Sequence, residues 1–327
     1  MLKAVDWDTR IGRRVRLRDL HILMSVVQCG SMAQAGTHLG ISQPAVSEAI
    51  ADLEAALGVR LLDRNRGGIK PTASGAALLK HGRAAFDELR QGIKEIEFLS
   101  DPTVGEVRLA CPEIIAAGFL VSTIERLSQK YPRVTLLVMQ ANTPTLEFTE
   151  LHERNADLTL ARLAREPSNG KLTEALRAEV LFNDRFCVAA GPQSHWGRRR
   201  KIDIAELVNE PWVMAPADQP GSAALIDLFR THGLDEPKFN VTTNSVHLRN
   251  HLVSNGGHIT ALPESVMRLN ANKFGLKTLP IELPLPQWLV GMVTLAHRPI
   301  NPTAQLFIEC AREVAKSMVA RRQARKS

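Results

Sequence analysis

The sequence predicts an α + α/β protein: a winged helix-turn-helix plus a long linker helix, then a two-lobed α/β region. Three observations carry this reading. Apolar residues recur at helical spacing from 17 to 99, punctuated by Gly30, Gly40 and Gly58. Beyond residue 106 short apolar runs alternate with amphipathic stretches, the pattern of strands covered by helices. The basic excess lies at one end: residues 1–83 carry 12 Lys/Arg against 7 Asp/Glu, the remaining 244 carry 29 against 27.

The first helix is predicted from Leu20, Leu23, Met24 and Val27 at steps of three and four, stopping at Gly30. Ser31 opens the second through the capping box "SMAQ", in which Gln34 reaches back to the Ser31 amide. Gly40 ends it, and "GI" separates it from the Ser42 cap of a third helix with Pro44 in its first turn. Val46, Ile50, Leu53 and Leu57 form that helix's buried stripe, and the short connection is a helix-turn-helix spacing. "VRLLDRNRGGIKPT" reads as two short strands around a Gly-Gly turn, a wing. From Thr72 a long helix runs to about Leu99, with Leu79, Gly82, Phe86, Leu89, Ile93 and Ile96 as a heptad-like seam. A second copy of the chain is the economical partner for such a seam.

"SDPTVGE" (100–106) reads as a linker. Strands then fall at "EVRLAC", "VTLLVMQ", "ADLTLARL", "RFCVAAG", "PWVMAP", "KFNVTTN", "GHITALP" and "QWLVGMVTLAH". Helices are expected over "GFLVSTIERLSQKYP", 144–154, 203–209, 221–233, 245–254 and 302–319. This alternation predicts parallel sheets in two α/β lobes with a cleft between them. The expected organisation is a basic arm (1–16), the winged helix-turn-helix (17–75) and the linker helix (76–100). Lobe I takes 104–182 and 286–319, lobe II 183–285, and 320–327 is a basic, disordered tail.

Composition excludes several classes. The chain has 327 residues, 44% hydrophobic and 23% charged, as in a soluble globular protein, and 5% aromatics are too few for a base-stacking platform. No apolar run has the length of a membrane span and the N-terminus has no apolar signal core, so a cytoplasmic location without membrane contact is expected. Cys29, Cys111, Cys187 and Cys310 form no C-x-x-C pair, which reads as free thiols. His247 and His251 share a helix face without a third ligand, so no metal is expected. Walker, G-x-G-x-x-G and G-x-S-x-G motifs are missing, so neither a cofactor nor catalysis is expected.

The third helix begins with small hydrogen-bonding groups rather than long charges. A helix entering a DNA major groove needs close approach, glutamine reads adenine N6 and N7, and helix-start amides suit a phosphate. Gln43 and Ser47 lie at i, i+4, opposite the Val46/Ile50/Leu53 stripe. The net charge of +7, concentrated near this helix, points the same way.

The stretch "GSMAQAGTHLGISQPAVSEAIADLEAALGVRLLDRNRGGIKPTASG" resembles the winged helix-turn-helix of the LysR-type transcriptional regulators, and "LVSNGGHITALP" extends the likeness through the rest of the chain. The resemblance implies that Ser31 and Ser42 sit near phosphates and that Gln43, Pro44 and Ser47 enter the groove. It implies that Arg64 and Arg66 of the wing meet the minor groove or backbone, and that Thr72 caps the linker helix. Glu48 departs from the family's basic or amide residue; it either selects a cytosine or lowers affinity. Arg13, Arg14, Arg16 and Arg18, just ahead of the first helix, would either compensate as a phosphate-binding arm or form a disordered solubilising tail. The implied partners are double-stranded promoter or operator DNA, RNA polymerase and a small-molecule effector. The implied assembly is a homodimer through the linker helix (Leu79, Phe86, Leu89, Ile93, Ile96), or a homotetramer through effector domains.

The resemblance also implies a periplasmic-binding-protein-like effector domain. By position its cleft is lined by Cys111, Pro112, Glu113 and Ile114; by Asn142, Thr143 and Thr145; by 216–222 including Ser222; and by Thr243, Asn244 and Ser245, with His247 beyond. In many members a hydroxyl after the first strand helps hold a carboxylate; here that place reads "CPEII", and Glu113 disfavours an anionic effector and favours a hydroxylated or cationic one. The rival readings are a ligand-free architectural DNA binder and a solute-binding or enzymatic α/β protein.

Overall fold

A computed structural model describes residues 14–65, 68–141, 147–285 and 288–324, without the side-chain surroundings of 64, 65 and 321–324. Arg13, Arg66, Asn142, Thr143, Thr145 and the Arg64 side chain therefore lie outside the described residues. The chain forms two compact units, divided between Gly92 and Ile93.

In the first unit, α1 (Leu17–Cys29), α2 (Met32–Leu39) and α3 (Gln43–Leu57) each end on a glycine with positive φ: Gly30, Gly40 and Gly58. There a left-handed residue closes the helix without a Cβ penalty. Ser42 Oγ accepts the Ala45 amide at 3.4 Å, and Ser31 Oγ accepts the Gln34 amide at 3.5 Å. Only this half of the expected capping box forms at α2. The buried stripe of α1 is centred differently from the expected one. Ile22, Leu23 and Val26 are buried, while Leu20, Met24 and Val27 pack at the edge. The reason is that α1 is covered on several sides, by α2, by α3 and by the wing strand that follows.

The wing is an antiparallel pair, β1 (Leu62–Asn65) and β2 (Gly68–Pro71). Then α4 (Ala73–Ser100) begins at Thr72, whose Oγ1 accepts the Gly75 amide at 3.0 Å. Leu79 of α4 belongs to the helix-turn-helix core with Val46, Ile50 and Leu53. Each such aliphatic burial contributes about 1.5–3 kcal/mol.

The second unit holds two five-stranded sheets. Lobe I orders its strands β4-β3-β5-β12-β6: β3 (Val104–Cys111), β4 (Arg133–Gln140), β5 (Leu158–Leu163), β6 (Leu176–Asp184) and β12 (Trp288–Leu295). Lobe II orders them β11-β7-β10-β8-β9: β7 (Phe186–Ala190), β8 (Trp212–Met214), β9 (Phe239–Thr242), β10 (Ile259–Pro263) and β11 (Lys277–Thr278). Both sheets are mixed rather than parallel. β12 runs antiparallel to β5 and β6, and β7 antiparallel to β10 and β11. The correction has a topological cause: the chain passes from lobe I to lobe II between β6 and β7 and returns to lobe I ahead of β12, and a returning strand enters each sheet reversed.

Helices α5 (Glu113–Ile115) and α6 (Val121–Lys130), joined by a π-helical turn Ala116–Leu120, pack with α11 (Pro302–Ala324) over one face of lobe I. Lobe II carries α8 (Pro220–Thr231), α9 (Val246–Ser254) and α10 (Glu264–Phe274). Three expectations change here. The interdomain linker shrinks because α4 runs to Ser100 and Val104 already pairs in β3. The helix expected over 144–154 is described only as α7 (Thr149–His152). The basic tail is helical through Ala324 rather than disordered. Among the described residues no helix is long and apolar enough to cross a membrane.

Candidate nucleic-acid interface and ligand cleft

At the start of α3, Ser42, Gln43, Pro44 and Glu48 are exposed and Ser47 is half-buried, while Val46, Ile50 and Leu53 on the other face are fully buried. The helix therefore lies on the domain by one stripe and presents its opposite side and its N-terminal amides outward. Gly36 makes the preceding turn tight: a Cβ there would stand 2.8 Å from the Ile41 carbonyl oxygen. Arg16 caps α1 and Arg18 occupies its first turn, both exposed, so these two belong to the helix rather than to an arm ahead of it.

Behind α3 the wing is tied down by Glu54. Its Oε1 accepts the Leu61 amide at 2.6 Å and the Leu62 amide at 3.2 Å. A charge-assisted acceptor holding two strand-entry amides orients β1 relative to α3. Farther along α4, Leu89, Ile93 and Ile96 are 49%, 58% and 65% exposed, an apolar stripe left uncovered. Phe86 instead sits against the His21 ring, 5.7 Å between centres, and Leu79 is buried in the core. The expected dimerisation residues thus divide between intradomain packing (Leu79, Phe86) and an open face (Leu89, Ile93, Ile96).

In the second unit a cavity of about 690 Å³ opens between the lobes, within the range of small-molecule sites. It lies at the carboxyl ends of parallel strands, where helix starts converge. Pro112, Glu113 and Ile114 follow β3, and Gln140 and Ala141 close β4. Met214 and Ala215 end β8, Gln219 to Ser222 begin α8, and Asn244 precedes α9.

Of the expected lining residues, Pro112, Glu113, Ile114, Gln219 to Ser222 and Asn244 reach the cavity wall, whereas 216–218 and Thr243 do not. Ser222 is turned inward, its Oγ donating to the Ala215 carbonyl at 2.8 Å. Ser245 is spent as the cap of α9, accepting the Leu248 amide at 3.2 Å, and does not line the cavity. Nor does His247, whose ring packs 4.5 Å from His251 and 6.0 Å from Phe274. Cys111 is buried beneath the floor, where desolvation pushes its thiol pKa up.

Sequence reasoning omitted the two arginines of the wall, Arg162 on β5 and Arg249 on α9. It also omitted two rings, Phe186 and Trp288, which flank the Arg162 guanidinium at 4.7 and 5.1 Å from its carbon. The one signal for Arg162 was a charged residue inside the otherwise apolar run "LTLARL".

Residues 17–76 match the family described as bacterial regulatory helix-turn-helix protein, lysR family, and residues 100–316 match the LysR substrate binding domain. The chain belongs to the LysR family of transcriptional regulators. This LysR-type regulator is 26% identical over 309 residues to the HTH-type transcriptional regulator TdcA of Escherichia coli, covering 94% of this chain and 96% of that protein. It is 28% identical over 296 residues to the transcriptional dual regulator GltC of Bacillus subtilis, covering 90% and 96%. Its fold is similar to that of full-length CbnR complexed with its target DNA, at TM-score 0.63 and 19% identity over 92% of this chain and 100% of that one. A full-length OxyR variant from Pseudomonas aeruginosa gives TM-score 0.64 at 18% identity, covering 91% and 97%. As a LysR-type protein it is a DNA-binding transcriptional regulator with a substrate-binding domain.

Proposed function

We propose that this regulator reads operator DNA through paired α3 helices and that a small molecule in the interlobe cleft sets its activity. Gln43, Pro44 and Ser47 enter the major groove, Ser31 and Ser42 lie by phosphates, and Arg64 and Arg66 contact the flanking backbone or minor groove. Glu48 tunes the choice of base. The exposed side of α3 opposite a fully buried stripe supports this reading. The uncovered Leu89/Ile93/Ile96 stripe supports pairing of two linker helices, which spaces two α3 helices for successive half-sites. Pairing of effector domains would make the tetramer and bring two such dimers onto one promoter beside RNA polymerase, in the cytoplasm.

The cavity between two lobes of one chain is the observation that carries the effector reading. A ligand acts by favouring one lobe arrangement over another. Within the cleft Glu113, Ile114, Ser222 and Asn244, which line the cavity, contact it. The test is fluorescence anisotropy with DNA from just upstream of the coding region against scrambled DNA, at two salt concentrations. Preference that survives higher salt, and that weakens by about 1–3 kcal/mol in Gln43→Ala, is the expected result. Equal, steeply salt-dependent binding to both DNAs would overturn sequence-specific reading.

A further inference from the structure

The charges of the cleft name a class of ligand. Among the described residues three ionisable side chains line it: Glu113, Arg162 and Arg249. Arg249 is 3% exposed and donates to Thr260 Oγ1 from Nε at 3.2 Å and from Nη2 at 2.8 Å, and to the Ala261 carbonyl at 2.6 Å. Every one of these acceptors is neutral, and Nη1 takes no part in them. Arg162 has its Nη2 buried without a hydrogen-bond partner. The carboxylate whose charge reaches Arg162, that of Asp184, is itself engaged by the Ser265 hydroxyl at 2.5 Å and the Ser265 amide at 3.2 Å.

Burial lowers the pKa of both guanidinium groups to about 10, so both stay charged at neutral pH, and the charge of Arg162 acts against that of Arg249. A buried Arg249 held by neutral acceptors and a half-buried Arg162 whose covered Nη2 has no hydrogen-bond partner face one cavity, a costly arrangement unless an anion completes it. Planar guanidinium groups suit the paired oxygens of a carboxylate. Ile114, Phe186, Met214 and Trp288 give the wall an apolar and aromatic part, beside the polar Gln140, Gln219, Ser222 and Asn244.

We propose that the cleft takes a small organic carboxylate with an apolar or aromatic body, its carboxylate bridging Arg162 of lobe I and Arg249 of lobe II. This rests on the cleft being the effector site. It reverses the expectation from Glu113 alone, whose carboxylate instead suits a hydroxyl or ammonium elsewhere on the same ligand. The bridge also supplies a switch. Without the anion the two guanidinium groups repel across the lobes; with it both are drawn to one centre. Phe186 and Trp288, which hold Arg162, begin the strands that follow the two lobe crossings, so the pull acts at the hinge.

The test uses thermal unfolding of the full-length protein at constant ionic strength with phenyl, benzyl and 3-methylbutyl bodies. Each body is presented as carboxylate, carboxamide and primary ammonium. At least one carboxylate should raise Tm while its amide and amine do not. In Arg162→Met its affinity should fall roughly ten- to a hundredfold, the loss of a charged hydrogen-bonding partner. Arg249→Lys, which keeps a charge within the buried hydrogen-bonded site, should show a smaller loss. A cooperative thermal transition of each variant without probe establishes that it is folded. Amide or ammonium binding as strong as the acid's, or carboxylate affinity unchanged in folded Arg162→Met, overturns the anion assignment while the effector cleft stands. A cleft that takes none of the probes in any charge class counts against the effector reading, and the proposal falls with it.

Discussion

The Glu54 carboxylate accepts the Leu61 amide at 2.6 Å, joining the last turns of α3 to the first residue ahead of the wing. The carbonyl of the same Leu61 accepts the Thr72 amide at 2.9 Å, so one residue joins helix, wing and linker helix. Replacing Glu54 by Ala leaves two part-buried amides without acceptor and should cost roughly 1–3 kcal/mol. Hydrogen exchange at Leu61 and Leu62 should accelerate, whereas Glu54→Gln should retain part of the protection. Unchanged exchange in Glu54→Ala would remove this link from the account.

Gly75 passes so close to the wing that an added Cβ would lie 2.0 Å from the Leu61 carbonyl oxygen. Backbone atoms cannot swing aside as a flexible side chain can. Gly75→Ala should therefore destabilise the first unit by about 1–3 kcal/mol despite alanine's better helix propensity. Gly92→Ala, on the same helix with open space around it, should be neutral or slightly stabilising, and the paired thermal melts distinguish packing from propensity.

The uncovered stripe of α4 separates association from folding. Ile93→Asp, at a position 58% exposed, should leave the fold intact and shift the protein toward monomer in sedimentation or light scattering. Leu79→Ala, in the core, should instead cost about 2–5 kcal/mol of stability. An Ile93→Asp protein that stays fully dimeric would place the self-association elsewhere.

Asp157 governs acid stability in lobe I. Its carboxylate meets the Arg298 guanidinium at 2.9 Å, the Arg108 amide at 2.9 Å and the Arg108 guanidinium at 3.3 Å. Burial alone would raise its pKa, but the Arg108 amide and the charges of Lys94, Arg108 and Arg298 outweigh burial and hold it below the ordinary 3.8. A folded group that is the stronger acid contributes stability fully above that ordinary value and loses it as pH falls through the lower folded one. Thermal scans should therefore show the second unit weakening below about pH 4. Asp157→Asn should lower stability at neutral pH by about 3–5 kcal/mol, the effect of stripping one partner from buried cations, and flatten the acid dependence. Asp184 acts in the opposite sense. Burial raises its pKa despite the Ser265 hydrogen bonds, so its contribution declines as pH rises from the ordinary value through the raised one.

The helix-turn-helix was legible because its signals are local. A serine cap, a proline in the first turn and a glycine at a positive-φ helix end act over three or four residues, and each stands where its neighbours in the chain demand it. The same locality made Gln43 and Ser47 readable as one face of α3. Strand β6 escaped notice although Leu176, Ala178, Val180 and Phe182 alternate along it. It follows β5 without an intervening helix and pairs antiparallel with β12, outside the strand-helix rhythm that organised the rest.

The sequence by itself determined the serine caps, the glycine stops, the wing and most of the succession of strands and helices, all set by backbone chemistry between near neighbours. The tertiary structure alone decided which apolar residues of α4 were used up inside the domain and which stayed open. It alone brought Arg162 on β5 to the same cavity as Arg249 on α9, between Phe186 and Trp288. Burial and charge pairing depend on what the folded chain sets around a group, and a linear sequence records the group without its surroundings.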